Sequence, residues 1–108
     1  MEIGAGDLRD RIEIQRATDV SDGAGGATRT WATFVTVWAK AAPTGGKEGL
    51  IAGTLQQVQG WRVQIRFRGD VTAAERFVLG GRPLNILSIE DPDRRRKWLV
   101  AFCETEAA

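Results

Sequence analysis

Between Trp61 and Arg68 apolar and polar positions alternate without a fault: Trp61, Val63, Ile65 and Phe67 fall on one face, Arg62, Gln64, Arg66 and Arg68 on the other. Successive strand side chains point to opposite sides, so this spacing predicts a strand with one face on a core and one in water. Burying those four apolar side chains contributes on the order of 6–12 kcal/mol in gross terms, which makes this the central core strand. The same alternation begins at Asp10, where Ile12 and Ile14 oppose Arg11, Glu13 and Gln15, and predicts a strand over 10–16. Residues 17–27 are rich in Asp, Ser and Gly, which supply turn conformations but little packing, and are expected to form a mobile hairpin tip. In the β-rich stretch 28–42, Trp31, Val35 and Val37 oppose Phe34 and Trp38, so both faces carry large apolar groups. A bulge, a bend across two sheets, or a face covered by another chain would each explain that pattern.

Pro43, Gly45 and Gly46 end the second strand. Over 47–59 the period changes: Leu50, Ile51, Leu55 and Val58 recur at helical spacing, which predicts a short helix weakened by Gly49 and Gly53. Beyond the central strand, Thr72 and Glu75 suit the ends of a capped turn. Residues 76–79 and 82–90 read as strands joined by Gly80-Gly81, whose freedom at positive φ a two-residue hairpin requires. Leu84 and Ile86 share one face and Leu87 and Ile89 the other, which again implies a bulge or two covered faces. Asp91-Pro92-Asp93 forms a turn into a last strand over 96–104, and the tail from Thr105 is expected to fray. The expected fold is all-β: a small six-stranded antiparallel barrel or sandwich with one short helix between strands 2 and 3, residues 1–108 forming one domain.

Composition narrows the function classes. Fifteen Lys and Arg against fourteen Asp and Glu leave a net charge of +1, so any contact with DNA rests on local charge arrangement. One cysteine excludes an intrachain disulfide framework and suits a reducing compartment. The opening MEIGAGDLRDR has neither the apolar run of a secretory signal nor a transmembrane helix, so no membrane partner is expected. With no histidine, acid–base and nucleophilic catalysis lack their commonest side chain, and one cysteine cannot build a zinc site. No catalytic, cofactor or metal residue is assigned. Cys103 reads as a small core hydrophobe, and Glu90, Asp91 and Asp93 as turn chemistry. Gly23, Gly25 and Gly26 lack the Lys-Ser or Lys-Thr pair and helix start of a phosphate loop.

Two basic groups remain. The run Arg94, Arg95, Arg96 and Lys97, followed by Trp98, reads first as a solvated turn but also suits phosphate or an acidic partner surface. Arg62, Arg66 and Arg68 form a similar row. The aromatics of that strand, Trp61 and Phe67, lie on its apolar face, which argues against base stacking but not against a protein partner.

The ordered pieces LRDRIEIQR, TWATFVTVWAKAAP, GGKEGLIAGTLQQVQGWRVQIRFR and LGGRPLNILSIEDPDRRRKWLVAFCETE span nearly the whole chain. Together they resemble the phage head-tail joining protein family, the adaptor or stopper proteins of long-tailed phages and gene transfer agents. The resemblance implies a non-enzymatic virion component built on a small β-barrel and assembled in the bacterial cytoplasm. It implies a cyclic homo-oligomer of six or twelve subunits at the head-tail junction. Its neighbours there are a portal or adaptor protein on the head side, a tail terminator or tail tube protein on the tail side, and packaged double-stranded DNA held without sequence specificity. By position, the segment 41–60 is the one expected to reach the channel or a neighbouring subunit, through Lys47, Glu48, Leu50, Ile51, Leu55, Gln56 and Gln57. The alternative from another class is a monomeric nucleic-acid-binding barrel that uses its basic surface.

Overall fold

Ala39 is the position at which two ladders meet, because it faces Asp10 across one edge of its strand and Ile65 across the other. The computed structural model describes residues 8–51 and 54–105, with the backbone alone for 46–51 and 54–57. The strands run β1 (Asp10–Ser21), β2 (Ala27–Ile51), β3 (Thr54–Arg66), β4 (Arg76–Leu79), β5 (Arg82–Glu90) and β6 (Trp98–Thr105). They close an antiparallel barrel in the order β1-β2-β3-β6-β5-β4. Closure chooses the barrel over the sandwich and gives every strand two neighbours.

Every strand sends side chains inward. Ile12 and Ile14 from β1, Ala39 from β2, Val63 and Ile65 from β3, Phe77 from β4, Leu84 and Ile86 from β5, and Leu99, Ala101 and Cys103 from β6 form the core, with Val71 from a loop. Trp61 and Phe67 pack against it, half-buried, so the face expected to be apolar is the core face.

Three register shifts account for the chain's two-faced apolar patterns. The β1–β2 ladder steps from Ile14↔Val35 to Gln15↔Thr33 and leaves Phe34 unpaired; β5–β6 steps from Ile86↔Cys103 to Ser88↔Phe102 and leaves Leu87 unpaired. An extra residue reverses the facing of all that follow, so Phe34 and Val35, or Ile86 and Ile89, can both pack on the core. The third shift leaves Thr44 unpaired between Pro43↔Trp61 and Gly45↔Gly60. There Gly45 takes φ +114°, and a Cβ on Gly60 would collide with the Thr44 side chain, so both glycines are required.

The helix expected over 47–59 is absent: Lys47 pairs with Val58, Glu48 with Gln57, Gly49 with Gln56 and Leu50 with Leu55 as β2 and β3 continue outward. Gly49 and Gly53 each cost a helix about 1 kcal/mol, whereas extending an existing ladder adds pairs next to pairs already made. The first hairpin is also longer than expected, with β1 reaching Ser21 and β2 starting at Ala27. Its tip is organised by Asp22, whose Oδ1 accepts from the amides of Ala24 (2.8 Å) and Gly26 (3.1 Å). The Gly80-Gly81 turn is as expected, with φ +59° and +82°.

β2 therefore belongs to two arms. Its 25 residues would measure about 80 Å if straight at roughly 3.3 Å each, against a longest molecular dimension of 49 Å, so it bends. Residues 27–38 pair only with β1 and 40–51 only with β3, while Ala39 pairs with both. β4 pairs with β1 only over 12–15, and β6 with β3 only over 60–66. Residues 16–21 with 27–32, and 46–51 with 54–59, are thus two-stranded ribbons that leave the barrel at opposite ends. Where the second ribbon departs, the Asp10 carboxylate accepts from the Ala41 amide (3.0 Å) and the Thr105 hydroxyl from the Gln59 amide (3.1 Å). Each satisfies a backbone N–H where the neighbouring strand stops.

Candidate functional site

Strand alternation sorts the basic residues by end. The first arm, the 67–75 loop and the 91–97 loop share one end of the barrel; the second arm and the Gly80-Gly81 turn share the other. Arg66 and Arg68 lie beside Arg94, Arg95, Arg96 and Lys97, because the Phe67 amide donates to the Lys97 carbonyl at 3.0 Å. Arg62 stands apart, toward the second arm. With the Gln64 amide oriented oxygen-first, Arg62 donates to it at 2.9 and 3.1 Å. Gln64, expected on the wet face, is instead buried, set in register beside buried Val100 and covered by that guanidinium.

The 91–97 loop holds its cations in an unusual backbone. The Arg94 amide donates to the Asp91 carbonyl (3.2 Å), the Arg95 amide to Asp93 Oδ1 (3.1 Å) and the Arg96 amide to Asp91 Oδ2 (2.9 Å). Arg94 and Arg96 are left-handed at φ 59° and 56°. Residues with a Cβ resist that region by about 1–2 kcal/mol, and here the Asp carboxylates hold them in it. This is why β6 begins at Trp98 rather than at Arg96. Arg68 is bonded through Nε and Nη2 to Asp70, both at 3.0 Å, and its guanidinium holds the Asp70 carboxyl below the usual carboxylate range.

The first arm has two wet faces. Residues 18–30 are exposed, with an Arg29–Asp19 pair at 3.0 Å and a Thr30 hydroxyl that donates to the Thr18 carbonyl at 3.2 Å. Arg16 Nη2 reaches the Asp70 carbonyl at 3.1 Å and ties the arm's base to the 67–75 loop. In that loop Glu75 accepts from the Thr72 amide (2.9 Å) and hydroxyl (3.2 Å), a cap on a turn that no helix follows. Lys47, Glu48, Leu50, Ile51, Leu55, Gln56 and Gln57 all lie on the second arm. At its foot Leu87, 54% exposed, and Phe102 stand beside Trp61 around a cleft of about 320 Å³.

The outward-facing tryptophans went unassigned in the sequence. Arg11 lies over the Trp38 ring at 4.7 Å and Arg66 over Trp98 at 5.4 Å. Both contacts join residues directly opposite in neighbouring strands, a relation that needs the strand register to be seen. Cys103 is buried and its thiol is pushed up to about 12 by loss of solvation, which leaves it protonated and unreactive at neutral pH. Among the described residues no group of three His, Cys, Asp or Glu side chains could hold a metal.

The sequence profile of the phage head completion protein family matches residues 3–106. The chain belongs to that family. The chain is accordingly a structural virion protein. No curated protein matches it by sequence. Among solved structures, a chain of the virion of a native gene transfer agent particle is similar, with TM-score 0.79 and 24% identity over 94% of this chain and 97% of that one. Protein SF1141 from Shigella flexneri 2a, determined in solution, has TM-score 0.68 and 28% identity over 97% and 98%. The barrel is therefore a frame shared with both.

Proposed function

We propose that this chain forms a ring at the head-tail junction, joins head to tail and lines or closes the DNA channel. The observation that carries the reading beyond family membership is the pair of arms at opposite barrel ends. A subunit so built can engage a portal or adaptor ring with one arm and a tail terminator or tail tube ring with the other. Isolated two-stranded ribbons are marginal in water, and their free edges accept further strands, so both arms gain most from contacts between chains. Leu87 and Phe102 at the foot of the second arm offer apolar area to a neighbouring subunit. Around the ring the contacts are head-to-tail, and six or twelve copies close it. The second arm, with Lys47, Glu48, Leu50, Ile51, Leu55, Gln56 and Gln57, is the channel or neighbour contact.

A monomeric nucleic-acid-binding barrel has the cationic end in its favour. Against it stand the net charge of +1 and the pairing of Arg29 and Arg68 with Asp19 and Asp70 of their own chain. Cryo-electron microscopy of whole particles tests the proposal. Density for this barrel in a closed ring between portal and tail is the expected result, and particles whose junction lacks the chain overturn it.

A further inference from the structure

Four neighbouring strands place Arg11, Trp38, Arg66 and Trp98 in a row. Arg11 faces Trp38 across β1–β2 and Arg66 faces Trp98 across β3–β6. Trp38 and Arg66 each follow the Ala39↔Ile65 pair by one step, and both line one cleft. The result is an alternating cation–aromatic surface on the outside of the barrel, with Trp38 50% exposed. The described residues hold at least four such pairs, against roughly one per 70–80 residues in general, and two of them share this row.

The row borders a cleft of about 390 Å³ lined by Leu8, Val37, Trp38, Arg66, Phe67 and Arg68. Its floor is apolar and its rim cationic. β2 is also open there: β3 leaves its ladder with β2 after Ile65, and no strand among the described residues pairs with residues 27–38 on that side. A bare strand edge, an apolar cleft and arginines lying against aromatic rings fit one kind of occupant. We infer that this surface docks an extended segment of a partner protein in which an apolar side chain is flanked by carboxylates.

Each feature has a part in that recognition. The strand edge takes the segment's backbone, and the cleft takes its apolar side chain. Guanidiniums stacked on indoles keep their N–H groups at the ring margins, where a carboxylate accepts from two of them at once. The cations of the 91–97 loop adjoin the site and draw an acidic segment in. Trp and Arg together are the composition of energetic centres in protein interfaces, whereas duplex phosphates call for cations without an apolar cleft. The inference deepens the assembly reading by giving the chemistry of one partner contact, and it rests on that reading for its place in the particle.

The test uses the full chain and a blocked eight-residue peptide with a central Leu-Phe pair flanked by Asp and Glu. Its controls are the same peptide with Asn and Gln for the acids, and a 20-base-pair DNA duplex. Indole N–H resonances report binding at Trp38 and Trp98 directly. The expected result is saturable shifts at both indoles with the acidic peptide, binding about tenfold weaker for Arg66→Gln and for Trp38→Ala, and weaker still for the neutral peptide. Thermal melts check that both variants remain folded. Equal binding of acidic and neutral peptides, or no indole shift at millimolar acidic peptide, overturns the inference. So does DNA that shifts both indoles more strongly than the peptide. In particles, wild-type chain at the junction together with undiminished joining by Arg66→Gln and Trp38→Ala sinks the inference alone. Loss of the wild-type chain from the junction sinks the assembly reading instead.

Discussion

Single side chains divide into those that hold the barrel and those that present a surface. Ile65 and Phe77 are fully enclosed, so Ile65→Ala and Phe77→Ala each lower unfolding free energy by about 2–5 kcal/mol. Urea melts with less than about 1 kcal/mol of change would place the core elsewhere. Cys103 makes a pH prediction with a definite sign. Its thiol ionises near 9 when solvated and is pushed up to about 12 in the fold, so the folded chain holds the proton longer than the unfolded one. Stability from this group is complete below pH 9 and is lost as pH rises toward 12. The chain has no tyrosine, and comparison with Cys103→Ala isolates the thiol from any other group. Cys103→Ala should flatten the fall in denaturation midpoint between pH 9 and 11, and a thiol reagent should label wild type only when denatured. Arg96 gives the opposite kind of prediction. Arg96→Gly relieves a left-handed residue and should raise stability by roughly 0.5–1 kcal/mol in a urea melt, the 1–2 kcal/mol of relief less the chain entropy of glycine.

At the scale of elements, Gly60 decides whether the second arm keeps its register. Gly60→Val drives a side chain into Thr44, so hydrogen exchange across 54–59 should accelerate while the amides of Phe77 and Leu84 stay protected. Uniform loss of protection would mean that arm and barrel unfold together. The same elements show what a sequence can reveal. Strict alternation in 61–68 and at Ile12 and Ile14 identified β3 and β1, because one wet face imposes a period that local chemistry alone displays. Gly80-Gly81 and Asp91-Pro92 identified their turns for a similar reason: backbone demands there are local. The second arm was misread as a helix because spacings among Leu50, Ile51, Leu55 and Val58 fit a helical face, while the ladder that overrides them depends on β2 having already been paired. Bulges at Phe34 and Leu87 were visible only as two-faced apolar patterns with several explanations. The Arg–Trp row was hidden for a stronger reason. Arg11, Trp38, Arg66 and Trp98 are far apart in sequence, and only register sets them side by side.

For the whole molecule, the barrel and its arms separate folding from assembly. Among the residues whose side chains are described, the core cluster lies in the barrel wall and the 67–75 loop, and on the second arm only Val58, next to the barrel, is buried. Shortening the second arm by removing residues 46–57 in favour of a two-residue turn should leave the urea midpoint of the barrel nearly unchanged. Under the proposed channel role, heads bearing the shortened chain still join tails but lose DNA, measured as nuclease-sensitive genome; full retention would remove the arm from the channel.

β2 also fixes how the subunit bears force. Partners that grip the two arms and are drawn apart pull on opposite ends of one continuous strand, along its own axis. The load therefore runs through the covalent backbone of β2, and the ladders to β1 and β3, whose hydrogen bonds lie across that axis, yield only if the strand is drawn straight out of the wall. The bend in β2 supplies some extension before that limit is met. One strand thus acts as a tie rod through the barrel, with Ala39, bonded into both ladders, at the point where tension passes from one arm to the other.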